Sequence, residues 1–231
     1  MERDLVPSQT ERDSLIIDYL IDIFIDDCVN QGKIINSRNH FQIFFHPAPQ
    51  ISEIATLAKG LNLDMSDIQF AEKKKVLKAM KDSFRANISQ IYQSTLSAKK
   101  WIGSDIWGFF SNKKVDAQCI REGYRNILVI LTDGYLFYGP NKIHDGNSYS
   151  YILPQTLKDS QSSLIVKRDG LRDLEVLMLE VNPYTPLDED RLIAVLNKWF
   201  DDMGVEKFVV ADTDMPVNTE NIIRNFISQN Q

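Results

Sequence analysis

An acidic residue stands directly after one of the most apolar segments of the sequence. Within RNILVILTDGYLFYG, residues 125–139, five apolar residues run from Ile127 to Leu131 and are followed by Thr132-Asp133-Gly134. Ligands of open parallel sheets bind beyond the carboxyl ends of the strands. A carboxylate at Asp133 is therefore placed to bind a cation or to position a hydrogen-bond donor. Asp-Gly is also a common turn pair, so an Asx turn with a purely structural role is the alternative.

A second oxygen donor precedes this acid. Ser104, in the segment GSDI, lies 29 residues before Asp133, with one predicted helix between them. Hydroxyl, carboxylate and water oxygens are the ligands that Mg²⁺ and Ca²⁺ prefer. Asp212 and Asp214 follow a later apolar strand in the same way, and a pair of carboxylates for acid/base chemistry is a further, weaker hypothesis there.

The elements that position these residues alternate between strand and helix. Continuously apolar strands are predicted at 127–131, 174–181 and 207–212, and such strands are typical of parallel sheets covered on both faces. Helices are predicted at 187–203 and 218–228. The pattern predicts an α/β fold with a doubly wound, mostly parallel sheet and helices on both faces. One domain is expected over residues 1–231, with an exposed loop or hairpin at 139–173 rich in turn signals.

The N-terminal half reads as mainly helical. Ser8 and Glu11 fit a capping box at the start of a long apolar helix, in which Asp18, Asp22 and Asp26 form a stripe predicted to face solvent. The remaining predictions are a strand at 40–47, a continuous or broken helix at 66–100 with Asp64 or Ser66 as its N-cap, a break at 101–108 and a helix at 114–122.

The composition narrows the function classes. The chain has 231 residues, 43% hydrophobic content and a formal net charge of −6, which suits one sizeable core and does not indicate nucleic-acid binding. No run of 18 apolar residues is present, so no membrane span is predicted. Cys28 and Cys119 indicate neither a disulfide framework nor a metal site. A cytoplasmic location is the default expectation, which an upstream export signal would change.

The two central motifs resemble those of the von Willebrand factor A domain family. Thr132-Asp133-Gly134 is similar to the family's Thr-Asp-Gly-like strand end, and Gly103-Ser104-Asp105-Ile106 is similar to its Gly-Thr-Asp-like loop, with serine in place of threonine. The order of the later strands also fits, over residues 8–229. The resemblance implies a doubly wound sheet that carries a metal-ion-dependent adhesion site.

The resemblance also implies a role for each site residue. Asp133 and Ser104 would hold Mg²⁺, and Asp105, counted with the metal residues, would orient the loop. An acidic residue of a protein partner would complete the shell of the ion. Tyr135 and Trp107, together with Trp101, are candidates for the partner-binding rim, because aromatic residues are enriched at interface hot spots. Core packing is the alternative for both tryptophans.

One part of the family pattern is missing. The first strand, with its Asp-x-Ser-x-Ser motif, is not visible before the first helix, although it lies at the centre of the sheet in that family. We therefore expect either that Met1 is not the natural start or that another segment fills the gap. Without this motif, a metal-free scaffold of the same fold is the alternative to a metal site.

Enzyme functions receive less support. A haloacid-dehalogenase-like phosphohydrolase is the best of them, but Leu131 occupies the position of its nucleophile and an alkyl side chain cannot attack phosphorus. No Gly-x-Ser-x-Gly elbow or phosphate-binding glycine loop is present. His40, His46 and His144 lack metal-ligand spacing. The sequence therefore predicts a non-enzymatic protein-interaction domain.

Overall fold

The computed structural model describes residues 7–30, 34–98, 105–111, 113–134, 143–145, 148–150, 171–182, 189–212 and 215–228. The chain divides into two compact units, Met1–Trp101 and Ile102–Gln231, and each is described by itself. The expectation of a single domain stays a prediction. Within the described segments, no helix combines the length and the apolar character needed to cross a membrane.

Unit 1 is built around two long helices. Its elements are α1 (Gln9–Asn30), a 3-10 turn (Ile34–Asn36), β1 (His40–Gln42), α2 (Ser52–Lys59), β2 (Asn62–Asp64) and α3 (Lys73–Ala98). Both α1 and α2 pack against α3, while β1 and β2 form an antiparallel pair. Phe41 on β1 joins the two long helices, because its ring centroid lies 5.4 Å from that of Phe24 and 6.0 Å from that of Phe84.

The predicted capping box of α1 is confirmed. The Ser8 amide donates to Glu11 Oε2 at 2.8 Å, and the Glu11 amide donates to Ser8 Oγ at 3.4 Å. The predicted stripe of acids is only partly directed to solvent. Asp18 and Asp22 form ion pairs with Arg85 and Lys81 of α3, so these acids border the contact between the helices.

Two local predictions in unit 1 were correct only in part, and the predicted N-cap was wrong. The predicted strand 40–47 is regular only over His40–Gln42, and the predicted helix 66–100 starts at Lys73. The carboxylate of Asp64 accepts from the Ser66 amide at 2.9 Å, so it closes a local turn instead of capping a helix. Such side-chain bonds to nearby backbone compete with helix formation. Helix α2 was not predicted.

Unit 2 contains the parallel sheet. Its elements are α4 (Ile106–Ser111), α5 (Lys114–Cys119), β3 (Asn126–Leu131), β4 (Ile143–Asp145), β5 (Ser148–Ser150), β6 (Leu174–Val181), α6 (Glu189–Asp202), β7 (Lys207–Asp212) and α7 (Pro216–Ser228). The strand order is β3-β6-β7, and both pairings are parallel. The predicted α/β class and the three predicted strands are confirmed, and the predicted helices 187–203 and 218–228 appear as α6 and α7.

The core of unit 2 lies around β6. Seven of its eight residues are buried, as expected for a strand with a neighbour on each side and helices packed nearby. Phe110 of α4 lies 5.3 Å from Trp199 and 5.9 Å from Phe200, measured between ring centroids. The predicted break at 101–108 therefore overlaps the start of a short buried helix. Within the predicted loop at 139–173, β4 and β5 form an antiparallel hairpin.

Candidate functional site

The carboxyl end of β3 is tied to β6 beyond the last regular strand residue. The Thr132 amide donates to the carbonyl of Leu179 at 3.2 Å, and the Asn182 amide donates to the carbonyl of Asp133 at 3.0 Å. The backbone pairing between β3 and β6 thus continues as far as Asp133, the acid of the predicted site. The backbone that carries Asp133 is fixed, while the residue itself is exposed.

A tight turn follows Asp133. The Gly134 amide donates to the hydroxyl of Thr132 at 3.1 Å, so the threonine side chain closes the turn. Gly134 is buried and has a φ of +86°. A Cβ at this position would lie 2.9 Å from Val181 Cγ1 and 3.0 Å from Leu192 Cδ2. Glycine is therefore required at this position for both the backbone conformation and the packing. The turn fixes the backbone next to Asp133.

The end of β6 carries a buried acid that the sequence predictions missed. Glu180 is only 2% exposed and has a φ of +66°. It lies in an irregularity of the ladder, because Met178 pairs with Val210 whereas Val181 pairs with Asp212. This one-residue excess on β6 is a β-bulge, a feature that often re-aims a side chain near a site. The signal in the sequence was a lone glutamate near the end of an apolar run.

Three neighbouring strands therefore end in acidic residues. Asp133 follows β3, Glu180 lies near the end of β6, and the half-buried Asp212 ends β7. They are not assembled as a metal site: the described part of the chain contains no group of three or more His, Cys, Asp and Glu side chains that could hold an ion. Asp214 lies outside the described residues.

Asp105 acts as the N-cap of α4. Its Oδ1 accepts from the Gly108 amide at 2.8 Å, and its carbonyl accepts from the Phe109 amide at 3.0 Å. A capping carboxylate satisfies a helix amide and favours the positive end of the helix dipole. The predicted role of Asp105 in orienting the loop stays a prediction, because Gly103 and Ser104 lie outside the described residues. The metal-binding role of Asp105 stays a prediction.

The remaining predicted residues are only partly described. Ser104, Tyr135 and Trp101 lie outside the described residues. Trp107, on α4, is half-buried, and its indole Nε1 is buried with no hydrogen-bond partner among the described residues. This position suits the core-packing alternative for the body of the ring. Its role in partner binding stays a prediction.

The cap makes a direct prediction for stability. We expect Asp105→Ala to lower the free energy of unfolding of unit 2 by about 1 kcal/mol, the typical cost of losing an N-cap. Urea unfolding followed by tryptophan fluorescence measures the change. Asp105→Asn keeps a capping oxygen and should retain most of the stability. Equal losses in the two variants would contradict a capping role.

The opposite end of the sheet holds a charged network that the sequence predictions also missed. Arg125 binds both carboxylate oxygens of Glu175 at 2.8 Å, and Lys207 Nζ lies 2.8 Å from Glu175 Oε2. Both cations also donate to carbonyls near the end of α7, at Phe226 and Ile227. The network therefore joins β3, β6, β7 and α7. Its internal bonding indicates a structural role for these residues.

Comparison with known proteins yields no similarity: no family model matches the chain, and no curated protein or solved structure matches it.

Proposed function

We propose that the chain is a non-enzymatic protein-interaction domain with a doubly wound fold similar to that of von Willebrand factor A domains. Its binding edge is the carboxyl end of the parallel strands, and Asp133 is the central contact. The observation that carries the proposal is the exposure of Asp133 on a turn that is fixed by Thr132 and Gly134. When a charged side chain binds a partner, less conformational entropy is lost if the backbone that carries it is already fixed.

Exposed apolar residues near the same edge support a protein partner. Met215 and Val217 follow the end of β7 at the start of α7 and are 61% and 57% exposed. Exposed apolar surface that is rimmed by polar groups marks an interaction site when it is contiguous, and these two side chains are the apolar part of the surface we propose. The proposed partner surface thus combines apolar contacts with a group that binds the Asp133 carboxylate.

The enzyme alternatives gain no support from the geometry. Leu131, at the position of a dehalogenase-type nucleophile, is an aliphatic residue paired with Leu179 in the sheet. The chemistry of nucleophilic substitution needs an oxygen, nitrogen or sulfur atom at this place. We therefore propose binding without turnover.

Partner binding is tested with a pair of matched variants. We expect Asp133→Asn to abolish capture of a specific protein from an extract of the producing cells, because the charge at the binding edge is lost. Asp173→Asn, an exposed acid before β6 at the other end of the strands, should leave capture unchanged. Equal capture by both variants would contradict the proposal. Hydrolysis of p-nitrophenyl phosphate that depends on Asp133 would favour the phosphohydrolase alternative.

The donors among the described residues do not fit a Mg²⁺ site by themselves. Asp133 supplies one exposed carboxylate, while the carboxylate of Asp105 is bound to the amide of Gly108. This favours the metal-free form of the proposed domain. The prediction of a Mg²⁺ site through Asp133, Ser104 and Asp105 is tested separately from partner binding.

Thermal unfolding distinguishes the metal-free form of the domain from a form that binds Mg²⁺. We expect the same midpoint in EDTA and in millimolar Mg²⁺, because an ion that does not bind the native state cannot stabilise it. A midpoint that Mg²⁺ raises in the wild type but not in Asp133→Ala would overturn this expectation and establish the metal site. The comparison needs no knowledge of the partner.

A further inference from the structure

The outer edge of β3 has no partner strand among the described residues. β3 pairs with β6 on one side only. The bond from the Thr132 amide to Leu179 shows that even-numbered residues of β3 direct their backbone groups toward β6. The amides and carbonyls of Ile127, Val129 and Leu131 consequently point to the outer edge. None of these groups has a hydrogen-bond partner in the described segments.

This edge lacks the usual protection against further pairing. Natural edge strands carry charges, proline, or bulges that block another strand. The five residues from Ile127 to Leu131 contain none of these, and four of them keep partly exposed side chains. The opposite edge strand, β7, begins with Lys207 and ends with Asp212. The two edges of the sheet therefore differ in their suitability for pairing.

The sequence of β3 is complementary to itself in the antiparallel direction. When two copies are aligned about Val129, Ile127 stands opposite Leu131 and Leu128 stands opposite Ile130. The flanking pairs are Asn126 with Thr132 and Arg125 with Asp133. Apolar residues thus meet apolar residues along the run, and no like charges stand opposite each other, while Arg125 is bound to Glu175 of its own chain. Such cross-strand pairs stabilise a sheet, whereas like charges destabilise it.

We propose that the outer edge of β3 is the docking surface for a second copy of this chain. The two β3 strands pair antiparallel about a twofold axis at Val129 and join the two three-stranded sheets into one of six strands. A twofold axis requires a self-complementary surface, which is the property that β3 has. The outward groups of Ile127, Val129 and Leu131 then form about six main-chain hydrogen bonds.

The backbone geometry agrees with this register. In an antiparallel pair, residues that exchange both hydrogen bonds lie directly opposite each other and recur at every second position. Centring on Val129 pairs each outward-directed residue with another one: Val129 with itself and Ile127 with Leu131. If the register shifted by one residue, the outward amides and carbonyls of one copy would face residues of the other copy whose amides and carbonyls are already bonded to β6.

The oligomeric state in solution tests this pairing. Light scattering coupled to size exclusion should give the full chain a mass twice its 26.6 kDa at high micromolar concentration. Val129→Lys places two like charges next to each other at the axis, so we expect this variant to elute at the mass of one chain. Val209→Lys is the matched control, since Val209 is 37% exposed on β7, the other edge strand, and should remain dimeric.

Several results would overturn the inference. These are a wild-type monomer, a Val129→Lys variant that stays dimeric, or a dimer disrupted only by Val209→Lys. A monomer whose Ile127, Val129 and Leu131 amides resist hydrogen exchange would show that another segment covers the edge. Binding of a different protein through Asp133 leaves the mass of the free chain unaffected, so failure of this inference is distinguishable from failure of the proposed function.

Cross-linking tests the register even if Val129→Lys does not fold. Directly opposed residues in a hydrogen-bonded pair have Cα atoms about 5.5 Å apart, within the range of a disulfide. With oxidised glutathione, which takes up the two electrons and two protons of the two thiols, Val129→Cys should give a covalent dimer. Val209→Cys should not. Cross-linking through Val209→Cys alone would overturn the proposed pairing.

Discussion

Replacing Gly134 by alanine is expected to lower the free energy of unfolding of unit 2 by about 2–5 kcal/mol. The left-handed backbone at φ +86° costs an L-residue about 1–2 kcal/mol. The added methyl group would also lie 2.9 Å from Val181 and 3.0 Å from Leu192, and overpacking of this kind costs about 1–3 kcal/mol. Urea unfolding, followed by the fluorescence of Trp107 and Trp199, measures the total loss in the free energy of unfolding.

Gly123 provides a matched control for this substitution. Its φ is +80°, but a Cβ there would meet no atom within 4 Å. Gly123→Ala therefore carries only the conformational cost, about 1–2 kcal/mol. The difference between the two variants isolates the packing of the turn beside Asp133. Equal losses would contradict the tight contact with Val181 and Leu192.

Replacing Glu175 by glutamine is expected to destabilise unit 2 by about 3 kcal/mol at pH 7. Burial alone would raise the pKa of Glu175, but hydrogen bonds from Arg125 and Lys207 and the charges of both cations outweigh it and lower the pKa from 4.5 to about 2. Each unit of difference between the folded and unfolded pKa corresponds to about 1.4 kcal/mol. Urea unfolding at pH 7 checks the loss.

The same substitution has a defined pH dependence. Because the folded state holds the pKa of Glu175 below its unfolded value of 4.5, the stabilisation is present in full above that value. It is lost as the pH falls toward the folded pKa of about 2. The wild type and Glu175→Gln should therefore differ most at neutral pH and converge as the pH approaches 2. If the difference in free energy of unfolding between the two proteins did not change over this pH range, the proposed ionic role of Glu175 in the network would be contradicted.

Glu206 supplies the control for charge removal alone. Its contact with Arg172 measures 3.8 Å, and the two side chains are 69% and 71% exposed. Exposed ion pairs contribute about 0–1 kcal/mol. Glu206→Gln should thus have only a small effect on the free energy of unfolding at pH 7.

The strands of unit 2 were predictable because local sequence and tertiary context agree. The apolar run of β6 is buried on both faces, so its pattern is unambiguous, and its bounds match the prediction. Helix α3 was misjudged at its start, because the Asp64 carboxylate accepts from the backbone amide of Ser66 and closes a local turn there. The hairpin β4–β5 was anticipated as one of two possibilities, since turn signals do not decide whether the flanking segments pair.

The candidate site was predicted less completely. The position of Asp133 at a strand end follows from the length of the apolar run, and the structure places it there. Glu180 was missed because the bulge that carries it depends on the register between β6 and β7. Glu175 was missed because its partners Arg125 and Lys207 come from distant parts of the chain. The pattern at one position of the sequence does not show which residue of a neighbouring strand will lie beside it.

The parallel pairing of β3 with β6 has a consequence for synthesis of the chain on the ribosome. Asn126 pairs with Leu174, which is translated 48 residues later, and translation proceeds at about 5–20 residues per second. The apolar strand β3 therefore emerges several seconds before the strand that covers it. Unit 1, which ends at Trp101, is complete by then. During this interval nascent β3 exposes apolar surface that a chaperone can bind.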